Sequence, residues 1–251
     1  MNYIIYDLEF NQHFKNSQED PNMTNPKCPF EIIQIGAIKL DDNLNTISTL
    51  DILVKPTVYK ELYPYVKEIT GIQIEDLNSA IGFKEVYKEF TQFVAMNRTV
   101  FVVWGANDLK ELFRNIEFYG LDSSLIPKEY INIQQYVSKY LNCPKGTNIG
   151  LSNAVELLDI PVKNKFHDAF NDAFYTAEIF KKVFNENLKS KIYDPTITKF
   201  IPRTDNKKSE IDTYSLIQQF EKMYNREMSE EEKSIIKLAY IMGKTNQFQI
   251  K

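Results

Sequence analysis

Residues 2–9 read NYIIYDLE, an apolar and β-branched run that ends in two acids. Such a run predicts a buried β-strand. Because side chains alternate along a strand, Asp7 and Glu9 lie on the same face of it. Two neighbouring buried carboxylates repel each other and lose hydration, and a bound cation removes both penalties. The other interpretation is that the strand frays at this point and that both acids are simply exposed.

The segments that follow this strand predict an α/β protein. Residues 31–40 and about 46–54 form a predicted hairpin, and residues 99–104 (TVFVVW) predict a central strand. A short strand near 129–133 comes next, and helical patterns alternate with the later strands. The longest of these helices is expected from Asp168 to about Leu188. This order indicates a mixed sheet flanked by helices.

Further acids stand where later elements begin. Asp108 follows the strand at 99–104 in the first turn of a helix, where an acid is also common because it stabilises the helix dipole. His167, Asp168 and Asp172 stand at the entry to the long helix. Asp168 and Asp172 are four residues apart and face the same side, so the residues alone leave both as candidates. The alternatives are a capping role for Asp168 and a partly buried, purely structural His167.

Taken together, these positions predict a metal site. The end of the first strand, the end of a later parallel strand and the start of a late helix converge at one edge of an α/β sheet. Carboxylate oxygens suit Mg²⁺ or Mn²⁺ and not zinc. Two such ions, roughly 3.5–4 Å apart, would clamp the attacking and leaving oxygens of a phosphodiester. His167 would then take the proton of the attacking water.

The bulk composition excludes several classes of protein. The chain has 251 residues, 43% of them hydrophobic, which is ordinary globular composition. Its formal net charge of −4 counts against a non-specific duplex binder, though not against an enzyme that holds a few nucleotides. No apolar run is long enough for a membrane span, and no signal peptide is recognisable. With two cysteines, no disulfide framework is expected, and we expect a cytoplasmic protein without a membrane partner.

The character of the sequence changes toward its end. We expect residues 1–190 to form the catalytic domain, residues 191–210 a proline-containing polar linker, and residues 211–251 a helical extension. Two amphipathic helices are expected there, near 211–225 and 229–242. Their apolar faces are of the kind that docks a protein partner. The sequence indicates no oligomeric state.

Three motifs of the chain match those of a known protein family: Asp7-Leu8-Glu9 in IIYDLEFN, Asp108 in VVWGANDLKEL, and His167 with Asp172 in FHDAFNDA. Over about residues 1–188 the sequence resembles the DEDDh exonucleases of the ribonuclease H-like superfamily. These include RNase T, the proofreading subunit of the bacterial replicase and the ERI-type RNA exonucleases. The flanking segments EIIQIGAIKL and ITGI also match. The resemblance implies a ribonuclease H-like, mixed five-stranded sheet flanked by helices.

The resemblance also implies a role for each site residue. It selects Asp172 over Asp168 as the fourth acid and His167 as the group that activates water. Leu8, Phe10 and Ile72 are implied as apolar contacts to the last base and sugar. Two Mg²⁺ or Mn²⁺ ions are implied as cofactors, bound by Asp7, Glu9, Asp108 and Asp172.

The expected activity is removal of nucleotides from the 3′ ends of single-stranded nucleic acid, with RNA favoured over DNA because of the ERI-type look. Two alternatives remain open on the sequence. One is an enzyme of the same family that cleaves dinucleotides, and the other is a regulatory binding module that keeps an exonuclease fold. The polar loop at residues 11–30 borders the expected site and is expected to affect substrate access.

Overall fold

The computed structural model describes the chain at residues 1–14, 24–95, 98–144, 146–185, 188–195 and 213–244. Much of the expected loop at 11–30 and most of the expected linker at 191–210 lie outside the described residues.

The described residues form a mixed sheet that confirms the predicted α/β class. Its strands are β1 (Asn2–Asn11), β2 (Glu31–Leu40), β3 (Thr46–Lys55), β4 (Ile81–Gly82), β5 (Thr99–Val103), β6 (Glu129–Asn132) and β7 (Lys191–Ile192). Their order across the sheet is β4-β3-β2-β1-β5-β6-β7. β1 pairs antiparallel with β2 and parallel with β5, so it lies at the centre of the sheet.

The sheet has seven strands where five were expected. The five longer strands account for the expected number, and β4 and β7 add two residues each at the two edges. Two-residue strands have no periodicity that a sequence pattern can reveal. Lys191 and Ile192 therefore belong to the sheet and not to the expected linker.

Nine α-helices surround or follow the sheet within the described residues. They are α1 (Pro64–Thr70), α2 (Ile74–Ser79), α3 (Phe83–Val94), α4 (Asn107–Phe118), α5 (Ile133–Tyr140), α6 (Leu151–Leu157), α7 (Ala169–Val183), α8 (Thr213–Tyr224) and α9 (Glu230–Lys244). The long helix α7 thus ends five residues earlier than expected, because Phe184 leaves the helical region at φ −57° and ψ 130°.

The alternation of side chains along β1 fills both layers of the core. Ile4, Tyr6 and Leu8 pack in one apolar cluster with α3 and α4. Tyr3 and Ile5 pack in the other cluster, which includes α7. Residue 7 continues this second series, so the alternation directs Asp7 and Glu9 toward the α7 side of the sheet.

The chain divides into two compact units, residues 1–200 and 201–251. In the first, Tyr193 follows β7 and is buried against Phe113, with ring centroids 5.0 Å apart. In the second, Ser229 and Glu232 form the N-terminal capping box of α9, each accepting a hydrogen bond from the backbone N–H of the other.

Within the described part of the chain, every helix is too short or too polar to span a lipid bilayer.

We predict that a fragment ending at Phe200 keeps the stability of the first unit, whereas a fragment ending at Ser190 does not. The shorter fragment lacks β7 and the buried Tyr193 ring. Loss of a large buried aromatic side chain costs about 3 kcal/mol or more. Thermal unfolding should therefore show a midpoint several degrees lower for the shorter fragment. Equal midpoints for the two fragments would show that β7 and Tyr193 contribute nothing to this unit.

Candidate active site

Three carboxylates converge between the end of β1 and the first turn of α7. Asp7, Glu9 and Asp172 each offer an oxygen, and these oxygens lie within 4.8 Å of one another. Oδ1 of Asp172 is buried and accepts no hydrogen bond from any of the described residues. Leaving such an oxygen without a partner is costly, and a cation would satisfy it. This all-oxygen donor set fits Mg²⁺ or Mn²⁺.

Asp108 lies beside these three acids, in the first turn of α4. β5 runs parallel to β1, with Ile5 opposite Val102, so the chain leaves both strands at the same edge of the sheet. Asp108 does not belong to the group within 4.8 Å. Its charge is nevertheless the largest contribution after burial to the raised pKa of Asp7. The charge of Asp172 likewise raises the pKa of Asp108. Asp108 therefore interacts electrostatically with both neighbours.

The pKa values of all four carboxyl groups lie above their usual range. Burial is the largest cause in each case, and repulsion among the acids adds to it. The pKa of Glu9 is raised to about 8, that of Asp108 to about 7 and that of Asp172 to about 6. The pKa of Asp7 is raised well above its usual value. Bound positive charge would lower these values, so the electrostatics favour a cation among the four acids.

The structure separates the roles of Asp168 and Asp172. Asp168 is the N-terminal cap of α7, and its Oδ1 accepts a hydrogen bond from the backbone N–H of Asn171 at 3.0 Å. Its Oδ2 accepts another from Nε2 of Gln34 at 3.2 Å. Asp172, one turn later, keeps a free oxygen beside Asp7 and Glu9. Asp168 therefore holds the helix, and Asp172 lies in the acidic site.

Gly36 allows α7 to approach the sheet at this point. It lies on β2 directly opposite Asp7 of β1. A Cβ atom built on Gly36 would lie 2.2 Å from the carbonyl carbon of Ala169 and 2.2 Å from the nitrogen of Phe170. Any other residue would push the first turn of α7 away. A glycine within an otherwise apolar strand indicates such a close backbone approach, so the sequence held a signal for this residue.

Gln34 fastens the same turn of α7 to β2. Its Oε1 accepts a hydrogen bond from the backbone N–H of Ala169 at 3.1 Å. Its Nε2 donates to Asp168 and also to Oδ1 of Asp51 at 2.9 Å. Gln34 was not among the predicted site residues, although a single amide in the apolar run EIIQIGAIKL is the signal that a buried polar contact leaves.

His167 precedes α7 in a strained turn. Its φ is 62°, in the left-handed region that non-glycine residues rarely adopt. Its backbone N–H donates to Oδ2 of Asp172 at 3.2 Å, which ties the turn to the acidic site. The positive charge of the imidazole also lowers the pKa of Asp172. The side chain itself is exposed to solvent. The imidazole is therefore accessible to solvent water.

The three expected apolar contacts differ in accessibility. Leu8 is 3% exposed and packs inside the core between the sheet and helices α3 and α4, so its side chain does not reach the site. The expectation of a Leu8 side-chain contact to the base therefore needs correction, because alternation turns Leu8 away from Asp7 and Glu9. Phe10 is half-buried and borders the same cluster. Ile72 is 9% exposed and packs in a separate apolar cluster with Ile33.

Comparison with known protein families shows which family this chain belongs to. The model of the RNase T family, described as an exonuclease, matches residues 4–180. The chain belongs to this exonuclease family. The matched segment contains all four acids and His167, and the resemblance based on the three motifs is thereby confirmed.

Two curated relatives of the exonuclease domain are similar at a low level of identity. The 3′-5′ exonuclease crn-4 of Caenorhabditis elegans is 25% identical over 180 residues, which cover 66% of this chain and 60% of the relative. Human ERI1 exoribonuclease 3 is 26% identical over 163 residues, which cover 61% of this chain and 48% of the relative. The matched part of the chain therefore spans about half to three fifths of these relatives.

A solved structure confirms the fold. The nuclease domain of 3′hExo, described as a DEDDh family member bound to rAMP, superposes with a TM-score of 0.63 at 19% identity. The match covers 77% of this chain and 96% of that domain. At this identity the likeness establishes the ribonuclease H-like architecture alone.

The raised pKa values predict how the stability of the metal-free protein depends on pH. In the unfolded chain these acids ionise at their usual values near 4, whereas in the native protein Asp172, Asp108 and Glu9 keep their protons up to about 6, 7 and 8. The native state therefore binds more protons over this interval, and the free energy of unfolding falls as pH rises from about 4 to 8.

Metal ions should reverse that loss, because they bind the ionised carboxylates of the native state. We expect Mn²⁺ to raise the thermal midpoint more at pH 8 than at pH 6, relative to protein held in a chelator. The control is the Glu9→Gln variant, in which the difference between the two pH values should shrink. A metal-induced shift that does not change with pH would contradict the raised pKa values.

Proposed function

We propose that the chain is a metal-dependent 3′→5′ exonuclease that hydrolyses the terminal phosphodiester of single-stranded nucleic acid, with RNA favoured over DNA. The observation that carries this proposal is the convergence of Asp7, Glu9 and Asp172, with Asp108 interacting beside them. Membership of the exonuclease family supports it. The name of the human relative, an exoribonuclease, supports the preference for RNA.

Asp7, Glu9, Asp108 and Asp172 are proposed to hold two Mg²⁺ or Mn²⁺ ions. When bound, such a pair supplies positive charge to the attacking and leaving oxygens of the phosphodiester. The four acids bury their charge in a low-dielectric site, where they need this compensation most. Their positions on β1, α4 and α7 are fixed by the sheet, which keeps the site rigid before substrate binds.

His167 is proposed to take the proton from the attacking water. Imidazole is a base that works near neutral pH, and the exposed side chain has access to solvent water. The hydrogen bond from its backbone to Asp172 keeps residue 167 beside the acidic site.

The 3′-terminal nucleotide of the nucleic acid is proposed to lie against Phe10 and Ile72. Phe10 is a half-buried residue near the end of β1, and Ile72 follows α1 and packs in the cluster with Ile33. Backbone groups near Glu9 and Phe10 are proposed to hold the terminal 3′ hydroxyl. Apolar and stacking contacts tolerate every base, so we expect little preference for sequence.

The helical unit at residues 211–251 contributes none of the proposed site residues. Its described helices expose large apolar side chains, namely Tyr214, Met223, Tyr224, Ile235 and Leu238. Exposed apolar faces of this kind are typical of protein contacts, and a protein partner for α8 and α9 is proposed on that ground.

We predict that Asp172→Asn abolishes hydrolysis and leaves the metal-free protein at least as stable as the wild type. The substitution removes a metal ligand and, with it, one of four mutually repelling charges. The matched control is Asp168→Asn, which keeps the capping oxygen of α7 and should retain most activity.

The assay follows release of nucleotides from labelled RNA and DNA strands of one sequence, and from a dinucleotide, with Mg²⁺ present. The wild type should degrade the RNA strand fastest. Retained turnover in Asp172→Asn would contradict the metal assignment. Turnover of the dinucleotide alone would replace the polymer substrate by a small one.

We predict that His167→Ala slows the chemical step by about 10²-fold or more, the usual scale for loss of a general base. Single-turnover rates at neutral pH measure this step directly, and added imidazole should restore part of the rate. An unchanged rate would remove His167 from the reaction. The fold should be unaffected, because the hydrogen bond to Asp172 comes from the backbone.

A further inference from the structure

Lys165 lies two residues before His167, in the segment that joins α6 to α7. Its carbonyl accepts a hydrogen bond from Nδ2 of Asn171 in the first turn of α7, at 3.1 Å. The backbone at Lys165 is thus tied to the same helical turn that carries Asp172. This segment therefore has a defined position beside the acidic site.

The side chain of Lys165 reaches across to the end of α1. Its Nζ donates a hydrogen bond to the carbonyl of Thr70, the last residue of that helix. A cation at a helix C-terminus is held favourably by the helix dipole and the free carbonyls. The next residue, Gly71, has φ 76°, and a Cβ atom there would lie 2.6 Å from Nζ. Gly71 therefore supplies both the left-handed turn and the space that the ammonium occupies.

Nζ of Lys165 affects both an acid of the proposed site and the segment that contains Ile72. On one side, its charge lowers the pKa of Glu9. On the other, Thr70 and Gly71 lead directly into Ile72, the proposed contact to the terminal nucleotide. The ammonium is therefore held at the start of the segment that leads to Ile72, while the backbone of the same residue is bound to the first turn of α7.

The charge balance of the proposed site suggests that this ammonium binds the phosphodiester. Four ionised carboxylates and two divalent cations sum to zero, so the negative charge of the phosphodiester is not balanced by them. An ammonium has three N–H donors, and the Thr70 carbonyl accepts from one. Within the described part of the chain the other two donate to no acceptor, so they can donate to phosphate, a charge-assisted bond that is among the stronger polar contacts.

We propose that Lys165 is a substrate contact whose ammonium, held by the Thr70 carbonyl, donates a hydrogen bond to a phosphate oxygen of the terminal nucleotide. This proposal rests on the proposed function. Lys165 then sets the affinity for the strand end and gives it a salt dependence, separately from the metal ligands and from His167.

The test is equilibrium binding of a fluorescent RNA strand in Mg²⁺, measured by anisotropy over a range of salt concentrations. The full chain carries His167→Ala, which keeps all four acids and slows hydrolysis during the measurement. Lys165→Met, which keeps the aliphatic stem, should weaken binding about tenfold or more. It should also reduce the slope of log K against log salt by about 0.7, the value for one lost phosphate contact on a single strand.

Two variants serve as controls. Lys165→Arg keeps the positive charge and should keep most of the salt slope. Lys163→Met removes an exposed lysine two residues away in the same segment and should change binding little. Thermal midpoints of all variants show whether each has folded.

The outcomes separate the two proposals. Weaker binding with an unchanged salt slope, or binding equal to that of the Lys163 variant, would show that Lys165 only fastens α1 to the α7 segment and would overturn the phosphate contact. Strand binding with a reduced slope in Lys165→Met supports the contact even where the wild type fails to hydrolyse the strand. Failure of every variant to bind a strand would overturn both.

Discussion

The close approach of α7 to β2 at Gly36 is the constraint on which the site depends. The absent side chain leaves the Ala169–Phe170 peptide in the space that a Cβ atom would need, directly opposite Asp7. Gln34, two residues earlier, binds the backbone of Ala169 and the cap Asp168. Gly36 therefore allows the helix to approach, and Gln34 holds it there by hydrogen bonds. One turn later this geometry delivers Asp172 to Asp7 and Glu9. Without that approach, the acids of β1 and α7 would belong to separate surfaces.

The site works against the stability of the protein that carries it. Its four acids are buried near one another, and the charges of Glu9, Asp108 and Asp172 all raise the pKa of Asp7. The rest of the sheet offsets this penalty through apolar packing on both faces of β1. Sites that store unfavourable electrostatics in this way are preorganised for the charge they will receive. The strained backbone at His167 is a second store of the same kind, held in place by Asp172.

The sequence predicted the central strands and the four acids better than the edge strands and the contacts between distant segments. The alternation of NYIIYDLE placed Asp7 and Glu9 on one face, and the ends of later elements supplied Asp108 and Asp172, because periodicity and chain order are local properties. Between Asp168 and Asp172 the residues alone did not decide, because two acids four residues apart face the same side of a helix. The structure distinguishes them: Asp168 caps α7 and binds Gln34, whereas Asp172 lies beside Asp7 and Glu9. The burial of Leu8 against α3 and α4, the edge strand at Lys191 and the reach of Lys165 to Thr70 are tertiary contacts between distant segments. No pattern within one segment encodes them.

We propose that the four acids surround a pair of divalent ions. A crystal structure of the full chain grown with Mn²⁺, with anomalous scattering collected to locate the metal, tests this proposal directly. Two anomalous peaks are expected roughly 3.5–4 Å apart, bounded by Asp7, Glu9, Asp108 and Asp172. Ions bound elsewhere, or no peak among these carboxylates at saturating Mn²⁺, would contradict it.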